Sequence, residues 1–223
     1  MREIVFDTET TGFDPKEGHR VVEIGCVEVI DRLPTGQHYH VYINPERDMP
    51  PEAFKVHGLS EEFLREHKRF HEVAAGFLDF IGDSQLVAHN AEFDMRFINW
   101  ELENMGSRPL SMSRVTDTLA IARSRFPGQP NSLDALCKRL DVDNSNRDLH
   151  GALLDSEILA EVYLELRGGR QQGLDLSGQK GDAVVAAAQK KERPKRQFSP
   201  SEEELRAHQD FLEQRVNDPI WKN

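Results

Sequence analysis

Residues 4–12 read Ile4-Val5-Phe6-Asp7-Thr8-Glu9-Thr10-Thr11-Gly12. The β-branched and aromatic opening predicts a strand, and residues two apart in a strand share a face, so Asp7 and Glu9 project to the same side as Val5. Acids at one end of an apolar strand are expensive to bury, and whatever compensates them indicates what the strand is for.

Working outward, Val21 to Ile30 and Gln37 to Ile43 carry β-branched and alternating residues, and Pro34-Thr35-Gly36 predicts a turn between them, giving an antiparallel start. From Pro51 the spacing becomes helical. Helices are expected near 70–81, 91–105, 117–125, 132–140 and 151–167, with a short strand at Leu86-Val87-Ala88. Strands followed by mixed strands and helices predict an α/β architecture, one mixed sheet flanked by helices, without internal repeats.

Two further acids fall on apolar helical stripes. With Asn90 as the expected cap, Asp94 lies in register with Phe97, Ile98, Leu102 and Met105, and Asp155 lies in register with Leu159, Val162 and Leu166. No Lys or Arg stands in register to neutralise them. Converging carboxylates without a protein cation call for divalent metal. Oxygen-only ligands favour Mg²⁺ or Mn²⁺, and a bridging carboxylate can hold two ions about 3.5–4 Å apart, an arrangement suited to phosphodiester hydrolysis. His150, five positions before Asp155, is the candidate general base. Any one of these residues alone is more often a cap, a solvated charge or a packing residue, but capping does not explain acids inside apolar stripes. For Asp117 and Asp134, at the starts of predicted helices, capping or dipole compensation suffices.

The chain has 223 residues and a net charge of −11, unusual for a protein that handles nucleic acid. Residues 168–223 hold ten Lys/Arg against nine Asp/Glu, so residues 1–167 carry −12 and should grip DNA poorly unless held near it by a partner. Two cysteines, an N-terminus running from Met1 into a strand, and no apolar stretch approaching the roughly 20 residues of a membrane helix predict a soluble, cytoplasmic protein.

Phe6-Asp7-Thr8-Glu9-Thr10-Thr11-Gly12, His89-Asn90-Ala91-Glu92-Phe93-Asp94 and His150-Gly151-Ala152-Leu153-Leu154-Asp155 resemble, in order and spacing, the three motifs of the DEDDh exonuclease superfamily. Val56-His57-Gly58-Leu59, Phe126-Pro127-Gly128 and Asn131-Ser132-Leu133-Asp134-Ala135-Leu136-Cys137 are similar to a narrower family, the epsilon subunits of bacterial DNA polymerase III, over nearly the whole chain. The resemblance implies a ribonuclease-H-like fold with a mixed five-stranded sheet and a proofreading 3′→5′ DNA exonuclease. It further implies two divalent ions, Mg²⁺ or Mn²⁺, held by Asp7, Glu9, Asp94 and Asp155, with His150 as base. Thr10, His57 and Phe93 would join Asp7, Glu9 and Asp155 in contacting the terminal nucleotides. Proofreading follows physically if the site accepts a single-stranded or frayed 3′ end, because a mismatched terminus unpairs at lower cost.

After the exonuclease domain, 1–167, a run of glycines followed by a polar, basic stretch predicts a flexible linker over 168–198. Within it, 171–176 fits Gln-x-x-Leu-x-Leu, similar to peptides that dock on the sliding clamp (beta), which assigns Gln171, Leu174, Asp175 and Leu176 to clamp binding. In the last segment, 199–223, Ser199-Pro200-Ser201-Glu202 has capping-box spacing and predicts a helix over 200–216. Leu205, His208, Leu212 and Val216 form an apolar stripe, flanked by Phe211 and followed by Ile220-Trp221. By resemblance the partner is the polymerase's catalytic (alpha) subunit, bound through Leu205, Phe211, Leu212, Val216 and Trp221, while folding back on the exonuclease domain is the alternative. A small accessory (theta-like) subunit is a further partner within the family's range. Competing functions are an RNA-trimming or oligonucleotide-degrading exonuclease, against which the clamp peptide counts, and a scaffold bridging polymerase and clamp, against which the intact acids count.

Overall fold

The computed structural model describes residues 1–147, 149–169 and 200–215. They fall in two units, within Met1–Leu174 and Asp175–Asn223. In the first, β1 (Arg2–Thr10), β2 (Val21–Ile30), β3 (Leu33–Tyr42), β4 (Gln85–Ala88) and β5 (Val115–Asp117) form one sheet in the order β3-β2-β1-β4-β5. The first three strands are antiparallel, β4 runs parallel to β1, and β5 runs parallel to β4. This is the expected mixed five-stranded sheet. Residues 115–117 are too few to show a period, which is why β5 was not predicted as a strand.

Alternation along β1 distributes the core. Ile4 and Phe6 pack on one face against α3 (Phe70–Ile81) and α4 (Ala91–Asn104), through Phe77, Ile81, Met95 and Ile98. Val5 packs on the other face with Val27, Val87 and the Leu159, Ala160 and Tyr163 side chains of α7 (Ala152–Leu166). A third cluster joins α7 to α5 (Thr118–Arg125) and α6 (Leu133–Leu140) through Ala122, Leu136 and Val162. Short helices α1 (Pro51–His57) and α2 (Glu61–Arg65) precede α3.

Three local expectations are corrected. The β2–β3 turn is Asp31-Arg32, both at positive φ (52° and 69°), the geometry whose twist matches a two-residue hairpin. Pro34-Thr35-Gly36 lies inside β3, an edge strand that tolerates a proline's missing N–H. Asn90 stands at the α4 cap position but makes no side-chain cap bond. Instead Asp117, from the end of β5, accepts from the backbone N–H groups of Asn90 (3.0 Å) and Leu119 (2.9 Å), serving α4 and α5 together. Met105, expected on the buried stripe of α4, lies just past its end and is exposed, whereas Phe97, Ile98 and Leu102 are buried.

In the second unit, α8 (Glu202–Arg215) begins two residues later than expected. Ser201, not Ser199, forms the capping box: its hydroxyl accepts from the Glu204 N–H (3.2 Å), and the Glu204 carboxylate accepts from the Ser201 N–H (2.8 Å). Leu205 and Phe211 are exposed and Leu212 is buried. Gln171, Leu174, Asp175, Leu176, Val216 and Trp221 lie outside the described residues. Among the described residues no helix is long and apolar enough to cross a membrane.

The start of α7 packs directly on the backbone of β2 at Gly25. A Cβ there would lie 2.2–2.4 Å from backbone atoms of Ala152 and Leu153, and Ser156 Oγ donates to the Gly25 carbonyl at 2.9 Å. Gly25 is also the register partner of Asp7, so this contact sets how closely α7 approaches the acids of β1. Gly25→Ala should destabilise the domain by about 1–3 kcal/mol, because backbone rather than a flexible side chain must move. Thermal melts of the variant and the wild type measure this, and equal melting temperatures would show that α7 is not tightly seated.

Candidate active site

Three elements bring the predicted acids to one end of the sheet. β1 contributes Asp7 and Glu9 on the face toward α7. α4 contributes Asp94 from its first turn, buried and fixed to Thr8 by the backbone N–H (3.1 Å) and the hydroxyl (2.6 Å). α7 contributes Asp155, also buried in its first turn. All four line one cleft of about 250 Å³, together with Phe93, Asp134, Arg147 and His150. Ligand-capable atoms of Glu9, His150 and Asp155 lie within 4.8 Å of one another. The backbone N–H of His150 donates to the Val56 carbonyl (3.0 Å), which ties this loop to α1, while its side chain remains 46% exposed at the cleft mouth.

Electrostatics divide the acids into two kinds. Burial, reinforced by Asp94, Glu9 and Asp155, pushes the Asp7 carboxyl well above its ordinary range. Burial, then Asp155 and Glu23, pushes Glu9 to about 8. Burial raises Asp94 to about 7 in spite of the bonds from Thr8. Burial also acts against ionised Asp155, but the neighbouring His150 and the Arg147 guanidinium outweigh it and hold this carboxyl below its usual value. A cluster of mostly uncompensated buried carboxylates fits a hard divalent cation, whose charge would remove the repulsion.

Thr10, His57 and Phe93 meet at an adjoining, more apolar pocket of about 440 Å³ that shares Thr8, Glu9 and Phe93 with the acidic cleft. The Thr10 hydroxyl donates to the Gly12 carbonyl (2.6 Å) and so supports the pocket wall. His57 is buried. Its Nδ1 accepts from the Leu59 N–H (3.0 Å), so Nε2 carries the proton, and no partner meets Nε2 among the described residues.

Four residues of the site's surroundings escaped the sequence reading. Arg147 lies outside any helical register and reaches Asp155 from a loop: Nε and Nη2 donate to its two oxygens at 2.5 and 2.7 Å. Asp134 lies in the first turn of α6, in keeping with dipole compensation rather than capping, which Ser132 provides, but it also pairs with Arg147 Nη1 (2.5 Å). Glu23 is buried directly opposite Glu9 in the β1–β2 register and meets His40 Nε2 at 2.7 Å. An acid within the apolar Val21–Ile30 strand was the available signal for Glu23. Sequence spacing carried no signal for Arg147 or His40.

An acidic cleft at the end of a central strand beside a nucleoside-sized apolar pocket defines a class, and the comparisons agree: the Exonuclease family model matches residues 4–163. The chain belongs to this metal-dependent exonuclease family. Among solved structures it is similar to exonuclease X in complex with 5′-overhanging duplex DNA, with a TM-score of 0.60 and 27% identity over 74% of this chain and 90% of that one. It is 49% identical to DNA polymerase III subunit epsilon of Rickettsia felis, over 95% of this chain and 96% of the relative. It is 43% identical to the same subunit of Escherichia coli K12, over 99% and 97% respectively. Within the exonucleases, the chain belongs to the DNA polymerase III subunit epsilon family.

The raised carboxyls make stability depend on pH. Asp7, Glu9 and Asp94 hold protons in the fold that the unfolded chain gives up near pH 4, so the folded form binds more protons up to about pH 8 and stability falls across that window. In chelator, the melting temperature should therefore carry a negative contribution from pH 5 to pH 8. Asp94→Asn, which keeps the acceptor for Thr8, should melt higher than wild type at pH 8 and show a shallower dependence, and saturating Mn²⁺ should raise the wild type most at the alkaline end. Parallel pH profiles for variant and wild type would refute this account.

Proposed function

We propose that this protein is the proofreading 3′→5′ exonuclease subunit of a replicative DNA polymerase, removing mismatched 3′-terminal nucleotides by phosphodiester hydrolysis. The observation that carries the reading is the continuity of the acidic cleft with the apolar pocket through Thr8, Glu9 and Phe93, which suits a terminal nucleotide whose phosphate lies beside the acids. Membership of the epsilon family supports DNA as substrate and the polymerase as setting.

In this reading Asp7, Glu9, Asp94 and Asp155 hold two divalent ions, Mg²⁺ or Mn²⁺. Such ions, when bound, stabilise negative charge developing on the phosphate oxygens. His150, at the cleft mouth and backed by Asp155 at 3.3 Å from Nδ1, takes the proton of the attacking water. Phe93 and the pocket wall around Thr10 hold the terminal nucleoside, and the unpartnered Nε2–H of His57 offers it a donor. The catalytic domain extends over 1–167.

The remainder of the chain serves as tether, through a linker at 168–198 and a polymerase-binding segment at 199–223. Leu205 and Phe211, 52% and 57% exposed on α8, support a helix that docks its apolar residues on the catalytic (alpha) subunit, with Leu212, Val216 and Trp221 completing the contact. Residues 171–176 bind the sliding clamp through Gln171, Leu174, Asp175 and Leu176. A theta-like accessory subunit would bind the exonuclease domain.

With Mg²⁺, wild-type protein should release single nucleotides from a 3′-mismatched primer–template faster than from the matched duplex, and chelator should abolish release. Asp7→Ala should lower the rate by at least about a hundredfold, given the several kcal/mol attributed to metal stabilisation. Release from RNA alone would support a trimming ribonuclease, and no release would support a scaffold.

Replacing Leu174 and Leu176 by Ala should weaken clamp affinity about tenfold, as expected for apolar anchors, while hydrolysis of short single strands stays unchanged. Surface plasmon resonance on immobilised clamp measures this, and equal affinities would remove the clamp peptide from the reading.

A further inference from the structure

Arg147 lies in the loop between α6 and α7, and its side chain is only 7% exposed. Its Nε and Nη2 donate to Oδ1 and Oδ2 of Asp155, so one guanidinium takes both oxygens of that carboxylate. Nη2 also lies 2.7 Å from Nδ1 of His150, and because a guanidinium only donates, Nδ1 is the acceptor there. Nη1 meets Asp134, whose side chain is 60% exposed and also accepts from Asn144 Nδ2 at 3.1 Å.

Arg147 therefore occupies the ligand atoms of one proposed metal-binding carboxylate and, at the same time, Nδ1 of the proposed base, the nitrogen that faces Asp155. A cation and a guanidinium compete for the same carboxylate lone pairs, and while Nδ1 accepts the arginine N–H it cannot donate to Asp155, the contact that would leave Nε2 as the basic nitrogen. We infer that Arg147 is a gate on the active site, a positioning residue that a divalent cation displaces from Asp155, freeing His150 in the same movement. Asp134 is the hinge: it lies in solvent, where ion pairing involves little desolvation, and it keeps the displaced guanidinium beside the cleft. The inference rests on the ligand and base roles in the proposed function.

Net charge alone would also make any cation at position 147 oppose metal, so the test must separate charge from the planar fork. Lysine keeps the charge and cannot span both oxygens. Titration calorimetry of the full chain with Mn²⁺, without DNA, should show affinity about tenfold tighter in Arg147→Gln and about threefold tighter in Arg147→Lys, within the range over which residues around metal ligands tune affinity. Asp134→Asn, which leaves the fork on Asp155, should not bind more tightly than wild type. Affinity in Arg147→Lys equal to or weaker than wild type overturns the gate, as does tighter binding by Asp134→Asn should the Arg147 variants not fold. Asp7→Ala tests the underlying reading separately: lost Mn²⁺ binding supports the acids as ligands, and retained binding overturns that assignment whatever the Arg147 variants show.

Discussion

Burying ionised Asp7, Glu9 and Asp94 at the end of a central strand is costly, since each loses solvation and each repels the others. The structure does not offset this with a counter-charge of its own on Asp7 or Asp94 among the described ion pairs, although Thr8 gives Asp94 two hydrogen bonds. The surrounding core, with Val5 and Ile4 packed on opposite faces of β1, is what offsets the cost and keeps the acids together. A protein that tolerates such repulsion is organised to receive positive charge from outside.

The site is assembled from parts of unequal rigidity. Asp7, Glu9, Asp94 and Asp155 sit on a strand and on the first turns of two packed helices, where the backbone hydrogen bonds and the close approach at Gly25 leave little freedom. Arg147 and His150 sit on the α6–α7 loop, joined to the rest by side-chain ion pairs and one backbone bond to Val56. Acids on regular elements hold a fixed geometry, and a histidine and an arginine on a loop can exchange partners, a division common in functional sites.

Charge gives the tail its significance. Residues 1–167 carry −12, which opposes the phosphate backbone at long range, so the net charge of this part contributes nothing to a grip on DNA. An exonuclease with weak grip, delivered by tethers, would cut ends presented to it rather than search for them, and the exposed apolar residues of α8 are consistent with such an arrangement.

Much of this was legible in the residues themselves, because local rules govern it. Alternation in 4–9 placed Asp7 and Glu9 on one face, and helical period placed Asp94 and Asp155 on buried stripes. The position of His150 ahead of Asp155 singled it out, and motif spacing then supplied the family and with it the five-stranded sheet. The roles of Arg147, Glu23, His40 and Asp134 depend on contacts between distant parts of the chain, which periodicity does not encode. Glu23 meets Glu9 only through β1–β2 register, and Asp117 serves two helices only because β5 ends beside β4. Arg147 approaches Asp155 from a loop, where no repeat predicts direction. The sequence by itself determined that Asp94 and Asp155 turn inward, since the face of a helix follows from local period. Only the tertiary structure decided which charges face them, because Coulomb interactions depend on distance in space rather than along the chain.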